Sequence, residues 1–221
     1  DVDLHRKPSF YITQRALAPV VVGMERVETS PPPYITMGYR AQKAALDVWA
    51  VNGSTTALDA TLELTAWDIE SGAQVPLPAD EARRSVRLKP NQSNELTTLA
   101  IPQHATTVVA AALVDGEGRK LARWVSWPEP LKFVRFKEKL EVRATVERNG
   151  AGKDEVVLTA DAPAKGVVVS VPIEEGEDAV FADNFVDLVP GEEMRIGVEG
   201  LAGRRVQARW LCDWEDEGFQ L

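Results

Sequence analysis

Carboxylates are the chemical groups this sequence supplies in quantity, and several sit close together along the chain. Asp183 with Asp187, Glu192 with Glu193, the run Glu174-Glu175-Gly176-Glu177-Asp178, and Asp213 with Glu215, Asp216 and Glu217 are the clusters. Two carboxyl groups some ~5 to 9.5 Å apart suffice to hydrolyse a glycosidic bond, one as acid and the other as base or nucleophile. Each cluster also has a plainer use. Asp183-Asn184 is a natural turn or cap pair, because both side chains can bond nearby backbone N–H groups. Glu192 and Glu193 follow Pro190-Gly191 as the solvated end of a turn, and the 174–178 run reads as a charged loop. At every cluster the structural use outweighs the catalytic one.

Other catalytic chemistry is thinner still. The two histidines are His5, in the N-terminal tail, and His104, ahead of a strand; neither lies in a motif that pairs it with a nucleophile. Cys212 is the one cysteine, placed by alternation inside a buried strand, so no intrachain disulfide or cysteine zinc site can form. The spacings of zinc-protease, paired-cysteine and calcium-loop motifs are absent, as are glycine-rich phosphate loops. The expectation is a chain with no catalytic, cofactor-binding or metal-binding residue and no cofactor. Six tryptophans, at 49, 67, 124, 127, 210 and 214, leave one binding option, since sugar rings stack on flat exposed aromatics. Against it stands burial: Trp67 and Trp210 are expected in sandwich cores and Trp127 at a junction between domains.

The elements that must carry these residues are mostly strands. KLEVRATVE puts Leu140, Val142, Ala144 and Val146 on one face, and Glu141, Arg143, Thr145 and Glu147 on the other. The same period of two runs through Leu62 and Leu64, through Val167, Val169 and Val171, through Met194, Ile196 and Val198, and through Val206, Ala208, Trp210 and Cys212. Between them lie the turn-forming clusters NGS, ESGA, DGEG, NGAGKD, PGEE and AGRR. Short strands at roughly ten-residue spacing point to antiparallel sandwiches. One helix is expected over 7–17, where Pro8 suits a first turn and Pro19 ends the pattern.

The organisation expected is therefore all-β: two tandem immunoglobulin-like antiparallel β-sandwiches behind one short N-terminal helix. Residues 1–18 form the lead-in, 19–127 the first sandwich, 128–135 a stiff Trp-Pro-Glu-Pro connector and 136–221 the second sandwich. Paired prolines there fix the chain, and Trp127 with Leu131 and Phe133 suggests a small apolar interface between domains.

Charge and hydropathy exclude further classes. A formal charge of −9 argues against binding nucleic acid or anionic lipid, and no apolar run nears the ~20 residues that span a bilayer. The N-terminus has no apolar core of a signal peptide and does not open on Met, so a piece of a longer polypeptide is expected. Asn52-Gly53-Ser54 and Asn91-Gln92-Ser93 are sequons that would accept glycans in a secretory pathway.

Three stretches carry a family resemblance. RKPSFYITQRALAPVVVGMERV resembles the segment by which β-mannosidases of glycoside hydrolase family 2, closest to the fungal enzymes, leave the last helix of their catalytic barrel. VSWPEPLKFV is similar to the connector between their two C-terminal sandwiches, and FADNFVDLVPGEE to a signature of the final one. The resemblance implies accessory domains whose partner is the catalytic barrel of the parent enzyme. The catalytic glutamates would lie on that barrel, so none carries over to a position here. DNFVDLVPGEE then reads as a corner: Phe185, Val186, Leu188 and Val189 pack inward, Asp183 and Asn184 fix the turn, and Pro190-Gly191 reverses the chain. The helix face of Phe10, Tyr11 and Leu17, shaped for the barrel, is expected exposed, docked on the first sandwich, or covered by a neighbour. A module that tethers the enzyme to mannan by binding oligosaccharide, or the matching domains of an exo-β-glucosaminidase, are the alternatives. Such relatives include both secreted and intracellular enzymes.

Overall fold

A computed structural model describes residues 6–28, 43–101 and 103–213, so His5, Trp214, Glu215, Asp216 and Glu217 lie outside the described residues. The chain divides into two compact units, one of Arg15–Phe136 and one that gathers the residues up to Gln14 with those from Lys137 onward. The expected helix is α1 (Pro8–Ala16), and a four-residue helix α2 (Ala79–Ala82), not expected from the sequence, lies within the first unit.

The first unit is built from β1 (Val20–Glu28), β2 (Ala44–Asn52), β3 (Leu58–Asp68), β4 (Gln74–Val75), β5 (Arg83–Leu88), β6 (Gln92–Ile101), β7 (Thr107–Val114) and β8 (Lys120–Ser126). One sheet runs β1-β2-β6; the other runs β4-β3-β7-β8, with β5 also on β3, and every pairing is antiparallel. β2 shows why it is a strand: Ala44, Leu46, Val48 and Ala50 are buried while the residues between them are half-exposed. From the facing sheet come Leu62, Leu64, Ala66, Val109, Ala111 and Leu113, and the two sets close into one apolar core. β7 is apolar on both faces, with Thr107 to Ala111 all buried. The β7–β8 turn is an Asp-led loop in which Asp115 Oδ1 accepts from the N–H groups of Glu117 and Arg119, both at 2.9 Å, and Gly118 takes φ 81°.

The second unit contains β9 (Val142–Arg148), β10 (Asp154–Ala160), β11 (Ala164–Ser170), β12 (Val180–Phe181), β13 (Val186–Leu188), β14 (Met194–Glu199) and β15 (Gln207–Arg209). Its sheets are β12-β14-β10-β9 and β13-β11-β15, again antiparallel. Val156, Leu158, Val167, Val169, Leu188 and Ile196 form its interior. Asn149 repeats the Asp115 device in the β9–β10 turn, its Oδ1 accepting from Ala151 and Lys153 at 3.0 Å each. Both units are thus sandwiches, as the alternation of the sequence predicts.

Three placements differ from the sequence reading. β9 keeps its alternation, but Val142 and Ala144 are only half-buried and Val146 is 40% exposed. It is the edge strand of its sheet, where one neighbour is missing. Trp67 lies half-buried on the outer face of β3, not in the core, its Nε1–H donating to Thr65 Oγ1 at 3.2 Å. Cys212 sits half-buried in a short helical turn beyond β15 and not inside a strand. Trp210, expected in the core, is buried.

Candidate functional site

Most of the described carboxylates in the acidic clusters are held by hydrogen bonds or ion pairs. Asp187 is held by Lys165 Nζ at 2.8 Å and by the Gly166 N–H at 2.9 Å, on the β11–β13 pair. Asp183 accepts from the Asn184 N–H at 2.8 Å. Asp178 accepts from the N–H groups of Val171 and Ala179, and Glu175 is bonded to both the backbone N–H and the guanidinium of Arg205. Those donors from Arg205 hold the Glu175 carboxyl below the usual range. Glu174 reaches the same arginine at 3.6 Å, and Glu193 pairs with Arg195 at 2.9 Å. Asp213 accepts from the Trp210 N–H at 2.9 Å and closes the last turn. Each of these carboxylates ties down a loop or bridges strands, and among the described residues no group of three or more acidic, histidine or cysteine side chains could hold a metal ion.

The 181–193 corner does more than turn the chain. Asn184, not Phe185, is the deeply buried residue: its Oδ1 accepts from the Val169 N–H and its Nδ2 donates to the Val169 carbonyl, both at 2.8 Å. Phe185 has φ 54°, which turns its ring sideways to lie 6.0 Å from Tyr11 of α1. Val186, Leu188 and Val189 do pack inward. Tyr11 is buried, Gln14 donates to the Ala182 carbonyl, and Arg6 donates to the Phe181 carbonyl, each at 3.3 Å. The helix is therefore seated on the signature corner of the second sandwich. Phe10 and Leu17 stay exposed, while Tyr11 departs from the expected placements. Burial pushes the Tyr11 hydroxyl up in pKa, with Arg6 opposing.

A half-buried cation is the feature that composition did not reveal. Arg26 occupies the inward parity of β1, after Val22 and Met24, and spends all five N–H donors inside the first unit. Nε donates to Ser126 Oγ (2.8 Å), Nη2 to the carbonyls of Thr107 (2.7 Å) and Ser126 (2.8 Å), and Nη1 to the His104 carbonyl (3.3 Å) and Nδ1 (3.2 Å). Guanidinium only donates, so His104 Nδ1 is the acceptor. Burial pushes the Arg26 pKa down to about 10, with Glu129 opposing. His104 is thereby a structural residue, and the sequence signal for the site was a charge at an inward position.

Among the described residues the tryptophans form no exposed row. Trp127 is buried with its ring 5.8 Å from Phe136, Trp210 is buried, Trp124 is 43% exposed on β8, and Trp49 and Trp67 are half-buried on different sheets. Trp49 is distinctive: its indole covers Gly23 of β1, whose missing Cβ would lie 2.7 Å from the ring. Of the sequons, Asn52 is fully buried, its amide donating to the carbonyls of Thr56 and Leu88, whereas Asn91 is exposed in the turn before β6.

Two family profiles match consecutive stretches, one described as a mannosidase Ig/CBM-like domain over residues 44–132 and one as an Ig-fold domain of mannosidases over 137–209. The chain belongs to the immunoglobulin-fold domains of the β-mannosidase family. It is 35% identical to a β-mannosidase B of Thermothelomyces thermophilus over 96% of this chain and 25% of that protein. A β-mannosidase B of Aspergillus oryzae is 30% identical over 91% of this chain and 23% of its own length. The chain thus spans about a quarter of the length of the curated relatives it matches. Among solved structures, a β-D-mannosidase from Dictyoglomus thermophilum superposes with a TM-score of 0.71 at 16% identity, over 92% of this chain and 23% of that one. An exo-chitosanase of Amycolatopsis orientalis gives 0.54 at 13% identity, over 91% and 26%. These two likenesses bear on the fold, which the β-mannosidase domains share with both.

Proposed function

We propose that the chain is the accessory pair of immunoglobulin-like sandwiches of a retaining β-mannosidase, an enzyme that removes terminal non-reducing β-D-mannose residues. The acid/base and nucleophile carboxylates belong to a catalytic barrel elsewhere in the same polypeptide, which is the partner of these domains. In this reading residues 1–18 lead in from the barrel, 19–127 and 136–221 are the sandwiches, and 128–135 join them. The observation that carries it is the 35% identity to a β-mannosidase B along nearly the whole chain, coupled with coverage of only a quarter of that enzyme. The site geometry supports it, since Asp178, Asp183 and Glu175 tie loops and Asp187 bridges two strands.

The role of the pair is then mechanical. Five guanidinium bonds in one sandwich and the Asn184 clamp in the other cross-link each fold internally, as suits domains that hold a neighbour in place. The experiment is to assay the parent polypeptide on aryl β-D-mannoside and on aryl β-D-glucosaminide. Preference for the mannoside is expected. Preference for the glucosaminide would move the chain to the exo-β-glucosaminidase relatives.

A further inference from the structure

The outer face of the β1-β2-β6 sheet breaks two local rules at neighbouring positions. Trp49 on β2 is directly opposite Gly23 on β1, and its indole lies across that glycine, so that a Cβ there would meet Cε2 and Cζ2 at 2.7 Å and Nε1 at 2.9 Å. Glycine in a strand interior weakens the strand unless something must approach its backbone closely. What approaches here is a flat aromatic ring, laid down on the sheet and half-buried there.

Two residues away, Glu25 and Asp47 are cross-strand partners. Like charges directly opposite one another destabilise a sheet. Neither has a cation within ion-pair distance among the described residues; Asp47 Oδ1 instead accepts the Thr98 hydroxyl of β6 at 2.7 Å. A ring platform beside unneutralised acceptor oxygens has the chemistry of a polyol with one apolar face. Pyranose rings stack their C–H face on an aromatic ring while their hydroxyls donate to carboxylates, which accept only. Local rules broken without a structural gain mark functional positions.

We propose that Trp49, seated on Gly23 and flanked by Glu25, Asp47 and Thr98, is a glycan-binding platform that takes a pyranose unit of a β-linked mannan chain. The site is assigned by geometry alone, and the choice of mannan rests on the β-mannosidase reading. One ring suffices for one sugar unit, so the absence of a tryptophan row sets weak, single-subsite affinity and not its loss. The platform lies on a sheet whose other face is the core, so it can be altered without emptying that core.

The test is titration of the intact chain with β-1,4-mannotetraose, cellotetraose and a chitosan tetramer, read by calorimetry and by chemical-shift changes at the tryptophan indoles. Saturable binding of mannotetraose is expected, weakened at least about tenfold by Trp49→Ala and by Gly23→Ala, whose Cβ displaces the ring. Asp47→Asn, which leaves the packing intact, should weaken it about threefold or more. Trp124→Ala, on the other sheet, should leave it unchanged; melting curves of each variant separate lost binding from lost fold. Binding of cellotetraose or the chitosan tetramer in place of mannotetraose, with the same variant pattern, would keep the platform and overturn the mannoside reading. Binding of none of the three, or binding indifferent to Trp49→Ala, Gly23→Ala and Asp47→Asn alike, would overturn the platform and leave the family assignment standing.

Discussion

Asn184 and Val169 exchange a reciprocal pair of hydrogen bonds, side-chain Oδ1 from the backbone N–H and side-chain Nδ2 to the backbone carbonyl, both at 2.8 Å inside the second sandwich. The asparagine extends the β13 side of β11 beyond Val167↔Val186, while Val169 pairs with Ala208 of β15 on the other side. It also caps its own successor, since the Phe185 N–H donates to the same Oδ1 at 2.9 Å.

Asn184→Ala would strand a buried donor and a buried acceptor of Val169 together. Each unpaired group costs ~1 to 3 kcal/mol, so a loss of about 3 kcal/mol in unfolding free energy is expected by urea titration. Asn184→Asp keeps the acceptor, loses the donor and buries a charge, and should be no better. A change below about 0.5 kcal/mol in either would mean the clamp is incidental.

Tyr11 gives a pH signature. Burial raises its pKa above the ordinary tyrosine value, so the folded state holds the proton more tightly than the unfolded chain does. Its contribution is fully present below about pH 10 and is lost as pH rises through the folded-state pKa. Chemical unfolding followed from pH 8 to 11 should show the wild type losing stability relative to Tyr11→Phe in the alkaline part of that range. Parallel curves for the two proteins would remove Tyr11 from the account of how α1 is held.

Arg26 is expected to be the most sensitive charged position of the first unit. Arg26→Met leaves the carbonyls of His104, Thr107 and Ser126 without these donors, a loss of about 3 to 5 kcal/mol by the cost of unpaired buried groups. Arg26→Lys restores charge and three donors but not the planar fork, and should fall between. Differential scanning calorimetry that finds both variants within a degree of the wild type would contradict the arrangement.

How much of this was legible in the sequence depended on whether parity was followed to its end. Leu62 and Leu64 fix the inward face of β3, and by the same count Trp67 falls on the outward face, where the structure has it. Size suggested a core tryptophan; alternation was the stronger signal. Val22, Met24 and Arg26 share one parity, so the inward-pointing cation was written in β1, but five carbonyl and side-chain acceptors from residues 78 to 100 positions away cannot be read locally. β9 shows the converse, since alternation specifies a face but not whether a neighbour covers it. In the 181–193 corner, the αL backbone at Phe185 exchanged the roles expected for Asn184 and Phe185. Asp183 has its partner next door in the Asn184 N–H, as Asp and Asn in turns commonly do, whereas Asp187 lies in β13 and bonds Gly166 of β11, a pairing no local reading contains.

The proposed division of labour leaves the hydrolytic chemistry to the barrel and support to these sandwiches. The direct measurement is hydrolysis of an aryl β-D-mannoside by the isolated chain, beside the parent polypeptide at equal molar concentration. Release of the aryl group is expected from the parent and none above the buffer rate from the chain. Turnover by the chain itself, abolished by substitution of one of its own carboxylates, would contradict it.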